Sequence, residues 1–268
     1  MAFFWAAAPL AAAAGCVVVD NTSHFRNEPD IPLIVPEVNP EDIAGYPPRN
    51  IIANPNCSTI QMVLALRSVR DLYGLDRVVV STYQSVSGAG ARSTEEMLAA
   101  TRAVLEETPE PRDAHPRGIA FDCVPHIDVM DDQGWTREEI KMREETRKIL
   151  EMPELPVTAT CVRVPVVRCH SESVWVQTQK PVALQELLGA LSNEPAVQVS
   201  TDAAAYRTAR ELAGQDEVHV GRLRLDPLDP RLLSFWVVSD NLRKGAALNA
   251  VQILQHLCQQ SAATPETG

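Results

Sequence analysis

Residues 54–63 read Asn-Pro-Asn-Cys-Ser-Thr-Ile-Gln-Met-Val, and Cys57 is the group among them that can do covalent chemistry. A short apolar run, Ile51-Ile52-Ala53, leads into an Asn-Pro turn, after which Ile60, Val63 and Leu64 recur at helical spacing. The pattern predicts a helix that starts at the cysteine and is stopped by Gly74. A thiol at a first helical turn faces unpaired backbone N–H groups and the positive end of the helix dipole, which favour a thiolate. Those N–H groups can also hold an oxyanion on a carbonyl that the sulfur attacks. A buried structural cysteine fits the same pattern, so Cys57 stands here as a candidate nucleophile.

The rest of the composition bounds the possibilities. At 268 residues, 45% hydrophobic and 22% charged, the chain can bury a sizeable core as one large domain or two modest ones. A net charge of −11 argues against a general nucleic-acid binder, because few phosphate counterions would be released. It says little about a small anion held by a few converging cations. The six cysteines are dispersed without C-x-x-C pairs or zinc-like spacing, which implies reduced thiols and no metal site. Residues 1–16 are apolar and alanine-rich but carry no Lys or Arg ahead of Arg26, and they are too short for a bilayer span. The reading is a cytoplasmic protein with no membrane partner.

The elements that would position Cys57 alternate at first and then become strand-rich. A helix over 5–15 precedes an apolar strand over 16–20 and a polar loop over 20–26. Further extended pieces are predicted over 32–38 and 50–53, and a strand over 77–84 runs into the glycine-rich loop Ser85-Val-Ser-Gly-Ala-Gly90. Helices are predicted over 93–107, with Ser93 as N-cap, and over 136–150. Strands are predicted over 124–129, 157–167, 173–178, 196–200, 217–225 and 233–238, with helices over 184–191 and 245–260 and a disordered tail over 261–268. The sum is an α/β start followed by an α+β body.

Several segments together resemble the aspartate-semialdehyde dehydrogenase family. They are Val19-Asp-Asn-Thr-Ser-His-Phe-Arg26, Val35-Pro-Glu-Val-Asn39, Asn54-Pro-Asn-Cys57-Ser-Thr, Val79-Val-Ser-Thr-Tyr-Gln84-Ser-Val-Ser-Gly-Ala-Gly90, Glu138-Glu-Ile-Lys141 with Glu145-Thr-Arg-Lys-Ile149, Thr160-Cys-Val-Arg163-Val-Pro with His170-Ser-Glu, and Trp236-Val-Val-Ser-Asp-Asn241-Leu-Arg-Lys-Gly-Ala. They keep the family's order from about Pro9 to Leu254. The resemblance implies an incomplete Rossmann-type nucleotide domain over 1–56 and a mixed-sheet catalytic and dimerisation domain over 57–240, like that of glyceraldehyde phosphate dehydrogenase. A C-terminal helix over 241–268 would return to the nucleotide domain.

The implied activity is NADPH-dependent reductive dephosphorylation of L-aspartyl 4-phosphate to L-aspartate 4-semialdehyde, in lysine, threonine and methionine biosynthesis. Cys57 matches the nucleophile that forms an acyl-thioester, and His170 matches the acid/base residue. Arg163 matches the clamp on the substrate carboxylate, Gln84 a substrate-orienting amide, and Glu138 the carboxylate that meets the substrate amino group. Arg26 and Lys141 match the phosphate-binding cations, with Asn56 as a third contact. Ser87, Gly88 and Asn241 match contacts to the nicotinamide end of NADP. A homodimer is implied through residues of about 80–240. One departure stands out: no G-x-G-x-x-G turn occurs near the start, and the first residues align inside a later helix of the nucleotide domain. This leads to two expectations. The strand over 16–19 would lack sheet neighbours, and an alternative reading is a catalytically impaired member acting as a dimerisation partner.

Overall fold

The structure, a computed structural model, describes residues 4–47 and 49–263. Helix α1 (Phe4–Ala13) leads to strand β1 (Val18–Asp20), which pairs in parallel with β2 (Ile51–Ala53), Val18 opposite Ile51 and Asp20 opposite Ala53. β1 therefore has a sheet neighbour, contrary to the expectation for residues 16–19. The segment expected as a strand over 32–38 instead turns. The Asn39 side chain takes the Val35 N–H and gives its amide to the Leu33 carbonyl, which leaves only Leu33 bridged to Ala53.

Helix α2 (Cys57–Tyr73) follows β2 directly, ends at Gly74 with φ 71°, and buries Ile60, Val63, Leu64 and Leu66. Next come β3 (Arg77–Gln84), α3 (Ala91–Leu105), α4 (Arg137–Ile149), β4 (Val157–Arg163) and β5 (His170–Gln177). The chain continues with α5 (Leu184–Asn193), β6 (Val197–Val199), α6 (Ala209–Leu212), β7 (Val218–Leu225), β8 (Leu232–Ser239) and α7 (Leu248–Ala263). Six strands form one mixed sheet in the order β4-β3-β5-β8-β7-β6, with β3/β4 and β6/β7 parallel. α2 packs on one face of it, burying Val78, Val80, Val174, Val176, Phe235 and Val237.

Several boundaries differ from the sequence reading, each for a local reason. α3 begins at Ala91 after Gly90 (φ 98°), because the Ser93 hydroxyl is engaged by His115 Nε2 at 2.7 Å and does not cap. The expected strand over 124–129 makes only the bridges Val124–Arg163 and Met130–Thr136, with Asp128 at φ 69° breaking the extension. β4 stops at Arg163, two residues before Pro165. β5 starts at His170, three residues earlier than expected. A π-turn over Arg243–Ala247 opens the C-terminal segment, and α7 returns to pack Ile253 against Ile34, Ile43 and Ile52. Of the expected tail, 261–263 continue α7 and 264–268 lie outside the described residues.

Candidate active site

The sheet register does most of the positioning. Gln84 on β3 lies opposite Arg163 on β4 and His170 on β5, and His170 in turn lies opposite Ser239 on β8. Laterally paired residues project to the same face of a sheet, so one rung sets Arg163, Gln84, His170 and Ser239 side by side under the start of α2. All four are buried.

Above that rung, Asn56 caps α2. Its amide oxygen accepts from Ser58 N at 2.9 Å and Thr59 N at 3.3 Å, and its amide nitrogen donates to Glu138 Oε1 at 2.8 Å. This places Cys57 at the helix's first turn, as expected. It also gives Asn56 a structural task that the sequence reading did not assign, because the amide oxygen belongs to the helix.

Helix α4 supplies the third wall. Its capping box at Thr136 and Glu139 fixes the start, and residues 138, 141, 145 and 148 recur along one face. Glu138 accepts from Asn56, from Gln84 Nε2 at 3.2 Å and from Lys141 Nζ at 3.4 Å. Lys141 also reaches Asp128 Oδ2 at 2.8 Å. Burial weakens the Lys141 ammonium, but Glu138 and Asp128 outweigh that and hold its pKa above the ordinary lysine value. Arg26, from the loop after β1, donates to Glu145 Oε1 at 3.0 Å and to the Asn21 carbonyl at 3.2 Å.

These groups line a cavity of about 510 Å³ that holds Cys57, Gln84, Arg26, Glu138, Lys141 and Arg163. Ser87, Gly88, Asn241 and Gly245 share its lining. His170 lies behind the cavity wall. It is fully buried, its Nδ1 accepts from Ser85 N at 3.0 Å, and its Nε2 has no hydrogen-bond partner. Because Nδ1 accepts a backbone N–H, the neutral ring carries its proton on Nε2. Burial, reinforced by Arg163, drives its pKa down to about 3, so the ring is neutral. The Cys57 thiol is pushed up to about 12 by burial and Glu138, against the pull of Arg26 and Arg163. The resting pair is therefore thiol and neutral imidazole.

The wing beside Cys57 is bare main chain. A Cβ added to Gly88 would lie 3.1 Å from His170 Nε2 and 3.2 Å from Arg163 Nη1, and one on Gly245 would lie 3.0 Å from Cys57 Cβ. Asn241 locks this wing. Its oxygen accepts from Cys169 N at 2.9 Å and from the Ser85 hydroxyl at 3.2 Å, and its amide nitrogen donates to the Ser87 hydroxyl at 3.0 Å, which leaves one amide N–H for a ligand carbonyl. A flat ring with a carboxamide fits a slot of this kind, so Ser87, Gly88 and Asn241 suit the nicotinamide end of a dinucleotide. Among the described residues no G-x-G-x-x-G turn lies between a strand and a helix to hold its pyrophosphate.

Every sequence-predicted site residue borders this cavity except His170, which lies against its wall. Missed by sequence were Glu145, which joins Arg26 to the Cys57 turn, and Ser85 and Asp128, which orient His170 and Lys141. Glu145 had a readable signal, seven residues after Glu138 on a predicted helix. The other two act from loops and had none. Among the described residues no group of three or more His, Cys, Asp or Glu side chains could hold a metal ion. Among them also, no helix is long and apolar enough to cross a membrane.

Comparison with known proteins adds identity to this geometry. Residues 66–244 match the family described as semialdehyde dehydrogenase, dimerisation domain, and residues 4–46 match semialdehyde dehydrogenase, NAD binding domain. A curated relative from Vibrio cholerae, aspartate-semialdehyde dehydrogenase 2, is 48% identical over 93% of this chain and 74% of its own length. The crystal structure of aspartate semialdehyde dehydrogenase II from Vibrio cholerae complexed with ASA superposes with TM-score 0.90 at 47% identity, covering 96% of this chain and 76% of that one. The Candida albicans aspartate semialdehyde dehydrogenase with NADP gives TM-score 0.72 at 26% identity, covering 94% of this chain and 73% of that one.

Proposed function

The chain belongs to the aspartate-semialdehyde dehydrogenase family, and from that premise we propose how its cavity converts L-aspartyl 4-phosphate to L-aspartate 4-semialdehyde with NADP as cofactor. The observation that carries the reading is the charge set of the cavity: three cations, Arg163, Arg26 and Lys141, and one carboxylate, Glu138, share the lining with Cys57. Aspartyl phosphate carries the complementary set, a carboxylate, a phosphate and an ammonium. Arg163 keeps one nitrogen on the Ser85 carbonyl at 2.7 Å and offers the rest of its planar fork to the α-carboxylate. Glu138 takes the ammonium, and Arg26 and Lys141 hold the phosphate beside Asn56. Gln84 orients the acyl group between them.

Cys57 Sγ attacks the acyl carbon, the acyl–oxygen bond breaks with its electron pair on the departing phosphate, and an acyl-thioester remains on the cysteine. The backbone N–H groups at the start of α2 meet the oxyanion that forms on the way. Ser87, Gly88 and Asn241 would hold the nicotinamide end of NADPH, which would supply the hydride that reduces the thioester. His170, with its proton on Nε2, is set to donate a hydrogen bond to the oxygen that develops charge, and to keep it until the tetrahedral adduct collapses to the aldehyde and frees the sulfur. Its role on this tautomer is that of a neutral hydrogen-bond donor. The thiol proton passes to the departing phosphate as the acyl–oxygen bond breaks, so the sulfur enters the thioester without a separate base.

The proposed organisation keeps the nucleotide-domain segment at 1–56, the catalytic and dimerisation body at 57–240, and the returning helix from 241. The homodimer uses the outer sheet face, and the enzyme works in the cytoplasm in amino-acid biosynthesis. The alternative raised by the sequence, a dimerisation partner without turnover, rests on the missing phosphate turn alone and is not the better supported reading.

The test is steady-state turnover of the full chain with L-aspartate semialdehyde, NADP and inorganic phosphate, followed by nicotinamide absorbance. Turnover that requires phosphate and is lost in Cys57→Ala supports the reading. Absence of turnover in the wild-type chain, or turnover indifferent to phosphate, rejects it.

A further inference from the structure

Glu145 lies outside the cavity and is 1% exposed. One carboxylate oxygen accepts from Arg26 Nη1 at 3.0 Å and the other from the Asn56 backbone N–H at 2.6 Å. The two partners belong to different loops, one leaving the C-terminal end of β1 and the other that of β2. The loops are tied to each other by Asn54 Nδ2 donating to Asn21 Oδ1 at 2.7 Å, and the first is braced within itself by Arg26 Nη2 donating to the Asn21 carbonyl. One turn further along α4, Lys148 gives its ammonium to the carbonyls of Arg26, Glu28 and Ile31 at 3.0, 2.6 and 2.8 Å. The backbone of the Arg26 loop is thus held by Lys148, and its guanidinium by Glu145.

We infer that Glu145 is a positioning residue that sets Arg26 for an anion and, with the same carboxylate, fixes the turn that presents Cys57. The inference rests on Arg26 as an anion-binding cation in the proposed site. Both groups on Glu145 are donors, so the position requires two acceptor oxygens. Glutamine has one, and whichever partner faces its NH₂ group loses its bond. Aspartate has two, on a stem one carbon shorter. Arg26 itself lines the cavity, and its Nε is buried with no hydrogen-bond partner.

The experiment reads phosphate binding without turnover. The full chain is alkylated with iodoacetamide under a range of inorganic phosphate concentrations, and labelling of Cys57 is followed by mass spectrometry. Phosphate held at Arg26 slows labelling by covering the sulfur and by cancelling the pull of Arg26 on the thiol. Glu145→Gln should raise the half-protecting phosphate concentration about tenfold, the range of one charge-assisted hydrogen bond, with Glu145→Asp in between. Arg26→Ala should raise it at least as much. Adding Glu145→Gln to Arg26→Ala should change it by less than about twofold, because Glu145 acts through Arg26.

A proportional further rise in the double variant, an unchanged value in Glu145→Gln, or a wild-type chain that phosphate fails to protect overturns the inference. The melting temperature gives an independent arm. Arg26→Ala strands a buried carboxylate, so the double variant should melt above Arg26→Ala; a double variant that melts lower also overturns it. Failure of dehydrogenase turnover with this protection pattern intact would sink the proposed reaction and leave the role of Glu145 standing.

Discussion

Charge and tautomer at single residues decide what the site can do before anything binds. Cys57 sits at a helix N-terminus, yet burial and Glu138 outweigh the helix end, Arg26 and Arg163, and its thiol stays protonated near neutrality. In the ligand-free chain, Cys57 alkylation should therefore keep rising about tenfold per pH unit between about pH 7 and pH 9, without a plateau. A plateau near pH 7 would mean a preformed thiolate. Arg163 donates to the Ser85 carbonyl and faces the cavity with the rest of its fork. Arg163→Lys should keep the charge but lose the planar pair, raising KM for aspartate semialdehyde about 10- to 100-fold. A change below twofold would remove Arg163 from substrate binding. The motif order made Cys57, Arg163 and His170 legible in the sequence. The direction of the His170 proton was not, because it depends on a backbone N–H from Ser85.

Strands and helices convert those residues into a site through register and face. The rung Arg163–Gln84–His170–Ser239 exists because β3 pairs in parallel with β4 and antiparallel with β5, which no local pattern encodes. Existence of β3, α2 and α4 was readable from apolar period, Gly74 and the Thr136 capping box. The start of β5 and the broken extension over 124–129 were not, since tertiary partners set them. One rung further along β5, Glu172 is fully buried, faces Gln61 and has no cation, and burial raises its pKa well above the ordinary 4.5. A carboxyl group whose folded pKa is raised contributes stability below the unfolded value and loses it as pH climbs past about 4.5 toward the folded value. That loss is at most about 1.4 kcal/mol per pH unit. Glu172→Gln removes the ionisation, so its melting temperature relative to wild type should climb between about pH 5 and pH 8. A constant difference across that range would show that Glu172 does not change its protonation on unfolding.

Across the whole molecule, the sheet is amphipathic in an unusual sense, since both faces carry apolar groups. The inner face is covered by α2, whereas Val79, Tyr83 and Trp175 on the outer face remain exposed, with Tyr83 and Trp236 rings 5.4 Å apart. An open apolar sheet face of this size is what a second copy would cover. Sedimentation should give a dimer at micromolar concentration, and Trp236→Arg should shift it toward monomer. A wild-type monomer would contradict the proposed assembly. The α/β start and the α+β body were both foreseen from the order of elements. Burial of β1 against β2 was not, because their pairing depends on contacts between segments more than thirty residues apart in sequence.

The central claim is that Cys57 takes an acyl group from an aspartyl phosphate held by Arg163, Glu138, Arg26 and Lys141. Mixing the full chain with L-aspartyl phosphate in the absence of nicotinamide, then mapping the adduct by mass spectrometry, tests it most directly. The predicted result is one aspartyl group on Cys57, absent in Cys57→Ala and discharged as the semialdehyde when NADPH is added. An unmodified Cys57, or an adduct carried by another cysteine, would contradict the account.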